Sequence, residues 1–493
     1  LWCALLDIYR ILFIDNGKAE LRDASQLWGK DCYETEDTLK AELGKDVESI
    51  CIGPSGEKLA RIACIITDRG AAAGRSGMGA VMGSKKLKAI AARGDKEVPV
   101  VDKAKADNLR KEYLEGMKKP GPSGVPFTDH FGKYGTSGGA GRSAHSGDGP
   151  VKNWGGIGII DVPDIAGLSG DLAIENVDKR GGCWHCPIAC ESRLKAGTGE
   201  YKYPAGIRRI EYETQGSFGV MCANTDKESL NMANHICNSY GLDTISAGTV
   251  IAFAMELYEN GIITKEDTDG IELTWGNHRA MIDMTWKMAK REGLGDILAD
   301  GVKIAAEKIG KGAEEYAVHI GGQELGMHDP KLPQWPGQQA SSRYQMDATP
   351  GRHTQDFGHA SFGNHLTNSV GLCLFNGMAA GPDAPRYTEG FMSAITGLDR
   401  SMDELRKSAE RIANIRHAFN LREGINQRNW EVHPRIIGTP PQAEGPLSGV
   451  TCDIEAEIDK NLKELDWDLK TTKPSKKKLL ELGLDDIARD LWP

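Results

Sequence analysis

The spacing of hydrophobic and polar residues changes along the chain, from a period of two near its start to a helical period further on. Arg10–Ile14 is a short apolar run and Lys18–Arg22 alternates polar and apolar residues, as strands do. Asn16-Gly17 between them is typical of a type I′ hairpin turn. A helix is expected near Glu36–Leu43. Three further β-like runs follow it, at Ile50–Gly53, Leu59–Thr67 and Ala89–Arg93. These patterns predict an α+β segment over the first hundred residues.

Helical spacing dominates the second half of the chain. Ala247–Tyr258 and Arg279–Arg291 are apolar at helical intervals, and a glycine follows each run. Ser401-x-x-Glu404 is a capping box, which predicts a helix that runs to about Phe419. Two short helices are expected at the end, Lys476–Leu482 behind the cap Ser475 and then Asp485–Leu491.

Length and patterning together predict three domains. We expect the remaining part of a β-rich N-terminal domain over 1–103, and two mainly α-helical domains over 104–298 and 299–493. The chain begins with Leu1 and the hairpin follows almost at once, so we expect that the first half of the N-terminal domain is missing from this sequence. Pro120–Gly156 is rich in Gly and Ser, which predicts a long functional loop or linker.

Composition excludes several classes of partner. The net charge is −10 and the pI is about 5.7, so a nucleic acid or an anionic membrane is not an expected partner. No apolar run approaches the ~20 residues of a membrane span. Eleven cysteines in a long chain do not resemble a disulfide framework, and a reducing cytoplasm fits them better.

Three of these cysteines form a short motif, Cys-x2-Cys-x3-Cys, made by Cys183, Cys186 and Cys190. One loop can turn three such sulfurs toward one metal centre, and thiolates favour iron–sulfur clusters or zinc. Both centres usually want a fourth ligand. His185 inside the loop would complete a Cys3His zinc site, whereas a remote cysteine would complete a cluster.

A short motif that occurs twice in the chain suggests which cysteine this is. Asn238–Asp243 and Asn368–Cys373 both contain Asn-Ser-x-Gly-Leu, with a polar side chain beside a turn glycine. Two unrelated helix C-caps would give the same pattern. Cys373, the last residue of the second copy, is the natural distant partner of the three clustered thiols.

A glycine-rich loop, Gly70–Lys86, lets the backbone approach a ligand closely. Its register fits a dinucleotide fingerprint poorly. A loop against another phosphate-bearing cofactor and a purely structural glycine turn are equally good interpretations. Arg75 would pair with a phosphate in the first case, and solvent exposure is the alternative.

The sequence resembles the aldehyde ferredoxin oxidoreductase family over nearly its whole length. Besides the cysteine loop, the matching segments are Leu27–Asp31, Gly53–Glu57, Ala73–Lys85, Pro150–Trp154, Glu211–Thr214, Tyr240–Ser246, Met327–Pro330 and Thr349–His353. The resemblance implies an α+β fold, a tungsten or molybdenum bis-pyranopterin and one [4Fe–4S] cluster. A Mg²⁺ ion that bridges the pterin phosphates is a further cofactor to consider.

The resemblance also implies roles for individual residues. Cys183, Cys186, Cys190 and Cys373 would hold the cluster. Each Gly-Leu motif would grip one pterin, through Asn238, Gly241, Leu242 and Asp243 in the first copy and Asn368, Gly371 and Leu372 in the second. Family members often carry Asp where Asn238 and Asn368 stand. An amide both donates and accepts, so we expect the pterin hydrogen bonds to survive in altered form.

Glu213 and His328 match the carboxylate and the histidine that face the metal in this family. Glu213 would take a proton from attacking water and His328 would hydrogen-bond the substrate oxygen. Taken alone, Glu213 would more often be a surface or salt-bridged residue, and His328 a turn histidine.

The implied activity is reversible oxidation of aldehydes to carboxylic acids, with ferredoxin as electron partner and a homodimer or a larger redox complex as the assembly. A benzoyl-CoA reductase-type tungsten subunit is one alternative. A truncated remnant that binds a cluster but no tungsten is another.

Overall fold

The computed structural model describes residues 8–121, 124–332 and 341–493. Its strands are β1 Arg10–Asp15, β2 Lys18–Asp23, β3 Glu48–Cys51, β4 Ile65–Thr67, β5 Ala71–Ala73, β6 Leu87–Arg93, β7 Val177–Gly181 and β8 Glu191–Leu194. The first six form one mixed sheet in the order β2-β1-β6-β3-β4-β5. Only the β1–β6 pair in that sheet is parallel, and β7 and β8 form a separate antiparallel ribbon.

Helices make up most of the remaining structure. In the first half of the chain they are α1 Cys32–Leu43, α2 Pro54–Glu57, α3 Met78–Ser84, α4 Lys103–Gly116, α5 Phe127–Tyr134, α6 Ala140–Ser146, α7 Gly158–Asp161, α8 Gly170–Glu175, α9 Tyr212–Thr214 and α10 Lys227–Tyr240. In the second half they are α11 Thr244–Glu259, α12 His278–Lys290, α13 Leu294–Leu298, α14 Val302–Ile309, α15 Ser341–Met346, α16 Ser361–Ser369, α17 Leu374–Ala380, α18 Ala384–Thr396, α19 Met402–Arg422, α20 Pro434–Ile437, α21 Ile454–Glu464, α22 Lys476–Glu481 and α23 Asp485–Leu491. The predicted α+β fold is confirmed.

Local signals in the sequence account for several elements. Asn16 and Gly17 take positive φ values of 50° and 84°, so the β1–β2 hairpin turns as predicted. Ser401 accepts from the Glu404 N–H and Glu404 reaches back, which forms the predicted capping box of α19. The strand expected at Leu59–Thr67 is shorter, because only its last three residues pair with other strands of the sheet.

The stretch Pro120–Gly156 is not the long loop that its Gly and Ser content predicted. It contains α5 and α6, joined by a 3₁₀ turn over Gly135–Gly139. Phe127 and Phe131 stack on one side of α5 with their ring centroids 5.0 Å apart. This aromatic face, together with the turn that follows it, lets glycine-rich sequence form helix where loop was expected.

The glycine-rich loop is built for close packing. A Cβ atom on Gly79 would overlap the carbonyl oxygen of Cys64, and one on Gly83 would overlap that of Gly56. Strand β6 after α3 pairs with β1 and β3 rather than with β5, so no dinucleotide-binding βαβ unit forms here. Gly79 and Gly83 therefore have a structural role in this loop, which is one of the two interpretations of its glycine content.

The largest hydrophobic core gathers around α10, α11 and α12 and reaches Ala60–Ala63 in the N-terminal part and Tyr344 and Ile436 further on. A second core lies under the six-stranded sheet. The C-terminal helices bury smaller cores of their own. Among the described residues, none of the helices is both long and apolar enough to cross a membrane.

Candidate active site

Glu213 lies on the one-turn helix α9, directly before a π-helical stretch, Gln215–Val220. Gly216 in that stretch lies against Met327, and a Cβ atom there would come within 2.6 Å of the Met327 Cβ. This close approach lets the Met327 N–H donate to Glu213 Oε2 over 2.9 Å. The wide π turn and its glycine therefore hold the Glu213 carboxylate against the segment that carries His328.

Glu213, His328 and His353 form a compact cluster. Glu213 Oε1 lies 3.3 Å from His353 Nε2 and 3.9 Å from His328 Nε2. Within the described ranges, this is the only group of three His, Cys, Asp or Glu residues whose ligand atoms all lie within 4.8 Å of one another. Oε1 is buried and accepts no hydrogen bond from the described residues.

His328 is held by groups on three sides. Its Nδ1 lies 2.9 Å from Asp148 Oδ2, and its ring stacks on Tyr212 with the centroids 4.6 Å apart. The Tyr344 hydroxyl donates to the His328 carbonyl over 2.7 Å. The Asp148 contact fixes the ring, so that Nε2 is the nitrogen directed at Glu213.

The two imidazoles differ in protonation. Burial lowers the pKa of His328, but the hydrogen bond and the charge of Asp148 outweigh it, and the net pKa is raised. Burial and the nearby His328 charge hold the pKa of His353 well below its ordinary value. Burial raises the pKa of Glu213 against the opposing charge of His328. The cluster therefore places two imidazoles with oppositely shifted pKa values around one carboxyl group, which suits proton transfer.

His353 is the member of this cluster that sequence reasoning missed. It closes the segment Thr349–His353, which matches the family text but carries no local sign of a role. Gly326 makes room for it, since a Cβ atom at Gly326 would overlap His353 Nδ1. His353 is also nearer to Glu213 than is His328, the histidine that the resemblance singled out.

Arg75 is neither exposed nor free. Its guanidinium pairs with Asp243 Oδ2 over 3.1 Å, and both side chains are only 7% exposed. It also donates to the carbonyl oxygens of Glu324 and Gly351. Arg75 thus ties the glycine-rich loop to the first Gly-Leu motif, and solvent exposure, the alternative interpretation, is wrong.

The first Gly-Leu motif is buried and fully bonded. Gly241 ends α10 with a φ of 78°, and its carbonyl accepts from the Cys64 N–H over 2.9 Å. The Asp243 N–H donates to Ile62, so Leu242 pairs with Ala63 in a short β-bridge. Asn238 donates to Asn234 in the same helix. The backbone of this motif joins two parts of the fold.

The second motif differs from the first. Asn368 is exposed and donates to Gln355 over 3.2 Å. Gly371 has a φ of 71°, and Leu372 is 40% exposed. Both copies are helix ends with a left-handed glycine, yet only the second leaves its side chains accessible.

A cavity of about 490 Å³ opens beside the first motif. Ser76 of the glycine-rich loop, Asp243, Glu324 and Thr349 are among its lining residues. The charges of Arg75 and Asp243 also act on Glu213, so the cavity and the Glu213 cluster are close neighbours. Its volume lies within the range of cofactor pockets, ~300–1,000 Å³.

The four predicted cluster ligands lie near one another. Burial is the main cause that raises the pKa of Cys183 and of Cys190, the latter to about 12. Cys186 and Cys373 are close enough to both thiols to raise these pKa values further. Cys183 and Cys373 are exposed and the other two are half-buried. Residue 373 therefore does come to the cysteine loop from a distant part of the chain.

The four sulfurs are spaced more widely than the ligands of one bound zinc ion. Zn–S bonds of ~2.3 Å in a tetrahedron bring sulfurs to within about 4 Å of one another. No three of the four sulfurs meet a 4.8 Å limit in the described residues. His185 is exposed and lies edge-on against Trp184, with the ring centroids 4.3 Å apart. Cys222, Cys237 and Cys452 are buried, as free cysteines commonly are.

Comparison with known proteins identifies the family. The model of the aldehyde ferredoxin oxidoreductase N-terminal domain matches residues 7–94, and the model of domains 2 and 3 matches residues 121–484. The chain belongs to the aldehyde ferredoxin oxidoreductase family. The resemblance drawn from the sequence is therefore confirmed.

Relatives and a solved structure agree with this assignment. The chain is 33% identical to the tungsten-containing aldehyde ferredoxin oxidoreductases of Pyrococcus abyssi and Pyrococcus furiosus, over 97% of its own length and 80% of theirs. It is 29% identical to the WOR-like subunit of an aliphatic sulfonate oxidoreductase of P. furiosus, over 97% of this chain and 79% of that subunit. The BamBC active-site complex of benzoyl-coenzyme A reductase has a similar fold, with a TM-score of 0.79 at 22% identity, over 98% of this chain and 81% of that one.

Membership makes the protein an oxidoreductase and implies a tungsten–pterin cofactor. One of its relatives is named as a subunit, the WOR-like subunit of the aliphatic sulfonate oxidoreductase. This aldehyde ferredoxin oxidoreductase homologue departs from the sequence-based expectation mainly at His353, which joins Glu213 and His328 in one cluster.

Proposed function

We propose that this protein oxidises aldehydes to carboxylic acids, reversibly, and passes the electrons singly through a [4Fe–4S] cluster to ferredoxin. The reaction adds water to the aldehyde and releases two protons and two electrons. The observation that carries the proposal is the Glu213 carboxyl group, whose Oε1 lies 3.9 Å from His328 Nε2 and 3.3 Å from His353 Nε2. A carboxyl group with a raised pKa is suited to accept a proton near neutral pH.

Each member of the cluster has a distinct part in this proposal. Glu213 accepts a proton from the water that adds to the aldehyde carbon. His328, protonated through its contact with Asp148, donates a hydrogen bond from Nε2 to the aldehyde oxygen. His353 Nε2 lies 3.3 Å from Glu213 Oε1, so it can hold the carboxyl group in position while the proton moves.

The tungsten–pterin group fits the cavity and its surroundings. Asp243 lines the cavity, Arg75 holds Asp243 in place, and the unpartnered Oε1 of Glu213 lies nearby. When bound, the group supplies the metal that takes two electrons from the substrate, and the protein supplies orientation and proton handling. Asp243 of the first Gly-Leu motif, which lines the cavity, and the exposed Asn368, Gly371 and Leu372 of the second would contact its two pterins. A Mg²⁺ ion would be a further cofactor.

Cys183, Cys186, Cys190 and Cys373 would hold the cluster. Support comes from the nearness of Cys373 to the cysteine loop, since it acts on the pKa of both Cys183 and Cys190. Cys373 follows Leu372 directly, so one loop would contact both a pterin and the cluster. Electrons would then have a short path from the cofactor to the protein surface.

The test is an anaerobic assay of protein produced with tungstate. Aldehydes of increasing size are offered with a viologen dye, and benzoyl-CoA and a short alkyl sulfonate are offered in parallel. Aldehyde-dependent reduction of the dye is expected, whereas turnover of benzoyl-CoA or sulfonate alone would overturn the proposal. Glu481→Gln, an exposed helical carboxylate exchanged for its amide, is the matched control for Glu213→Gln.

A further inference from the structure

Exposed apolar side chains surround the four thiols. Trp184, between Cys183 and Cys186, is 90% exposed, and Leu374 and Met378 are 44% and 57% exposed. Leu374 directly follows Cys373, and Met378 lies four residues further along α17, on the same helix face. Large apolar side chains grouped at the surface of a protein are typical of a protein–protein contact.

Helix α4 stands at the edge of this apolar group. The Tyr113 hydroxyl donates to the carbonyl oxygen of Asn376 in α17 over 2.8 Å. The charges of Cys186 and Cys373 both reach Tyr113. Nearby, Phe131 of α5 packs on Phe375 with the ring centroids 4.3 Å apart. The cysteine loop, α4, α5 and α17 therefore share one face of the molecule.

Helix α4 and the residues that follow it are basic in an acidic protein. Residues 103–119 contain six Lys and Arg residues against three Asp and Glu residues, a local charge of +3 in a chain of net charge −10. No residue of α4 is buried. The basic residues are all exposed: Lys103, Lys105, Arg110, Lys111, Lys118 and Lys119. A positive rim around an apolar centre is complementary to an acidic partner with an apolar contact site.

We propose that Trp184, Leu374, Met378 and the basic side chains of residues 103–119 form the docking face for a small acidic iron–sulfur electron carrier. The inference rests on the proposed function and names where its electron partner binds. Each oxidised aldehyde yields two electrons, so two oxidised carriers each leave with one electron, while water provides the oxygen and two protons are released. The basic rim steers the carrier, and the apolar centre brings its cluster close to the thiols.

The test compares charge reversal on the docking face with charge reversal elsewhere. The variant Arg110→Glu/Lys111→Glu/Lys118→Glu is set against Lys45→Glu/Lys460→Glu/Lys463→Glu, which reverses three equally exposed charges outside α4. The probe is an acidic two-[4Fe–4S] ferredoxin, and its binding by calorimetry and its reduction rate are both measured. Dye reduction reports the chemistry separately.

The docking-face variant is expected to bind ferredoxin about tenfold more weakly and to lose a similar factor in kcat/KM for ferredoxin at low salt, with dye reduction unchanged. The loss should shrink at about 0.5 M NaCl, because salt screens the exposed charges. Met378→Ser should weaken binding at both salt concentrations. A basic c-type cytochrome should gain affinity for the charge-reversed variant.

Equal ferredoxin binding by both charge-reversed variants would overturn the docking face. A wild-type protein that binds ferredoxin at this face but oxidises no aldehyde would leave the docking face standing and remove the proposed substrate. The two failures are therefore distinguishable.

Discussion

His328 Nδ1 lies 2.9 Å from Asp148 Oδ2, and its Nε2 lies 3.9 Å from Glu213 Oε1. Asp148 thus charges the imidazole that faces the candidate base. In the variant Asp148→Asn, the pKa of His328 should fall, because the largest favourable contacts to the imidazolium are lost. Carbon NMR of histidine labelled at Cε1 measures this pKa directly. An unchanged His328 titration would contradict the assignment.

The same pair gives a stability prediction with a definite sign. The raised pKa of His328 contributes stability below the unfolded value of ~6.5, and this contribution is lost as the pH rises through the folded value. The lowered pKa of Asp148 contributes stability above ~3.9, which is lost as the pH falls through its folded value. The Asp148→Asn variant should therefore lose most Tm, relative to wild type, between these limits.

Glu213→Gln should lower kcat/KM for aldehydes by about 10²-fold or more, because the amide cannot accept a proton. The folded pKa of Glu213 is raised, so its ionised form costs stability above the unfolded pKa of ~4.3. The variant should therefore melt at an equal or higher temperature than wild type at pH 8. A variant that keeps full aldehyde activity would show that Glu213 is not the base.

His353 depends on Gly326 for its place. Gly326→Ala should displace the imidazole and lower aldehyde activity, because the new methyl group would overlap His353 Nδ1. Gly363→Ala, a helical glycine with open space around it, is the matched control. His353→Gln should reproduce the effect of Gly326→Ala and shift the acid limb of the pH–rate profile. Full activity in both variants would remove His353 from the cluster's chemistry.

Cys373→Ser should lower the iron content and change the EPR spectrum of the reduced protein, because it removes the ligand contributed from outside the loop. Cys452→Ser is the control, since Cys452 is buried and its thiol faces the carbonyl oxygen of Pro330. Equal iron and identical spectra in the two variants would show that residue 373 is not a ligand.

Much of the fold could be predicted from local signals in the sequence, but the candidate site could be predicted only in part. The β1–β2 hairpin and the capping box at Ser401 depend on a few adjacent residues, so the sequence alone predicts them. The helices of Pro120–Gly156 depend on aromatic packing that a high glycine content hides. The repeated Asn-Ser-x-Gly-Leu motif pointed to Cys373 as the remote thiol. The first copy of that motif, Asn238–Asp243, is buried, which the sequence did not indicate.

His353 illustrates what a single sequence leaves out. Its proximity to Glu213 arises from contacts between segments more than a hundred residues apart, made possible by Gly216 and Gly326. Neither glycine has a spacing or a neighbour that marks it in the sequence. A three-residue cluster of this kind can be read only once the chain is folded.

An element count on protein purified without oxygen tests the central claim most directly. The account predicts close to one tungsten or molybdenum atom per chain, together with about four iron atoms from one [4Fe–4S] cluster. Iron without tungsten or molybdenum would contradict the proposed oxidoreductase and leave only a cluster-binding protein. One zinc atom per chain in place of the iron would contradict the cluster itself.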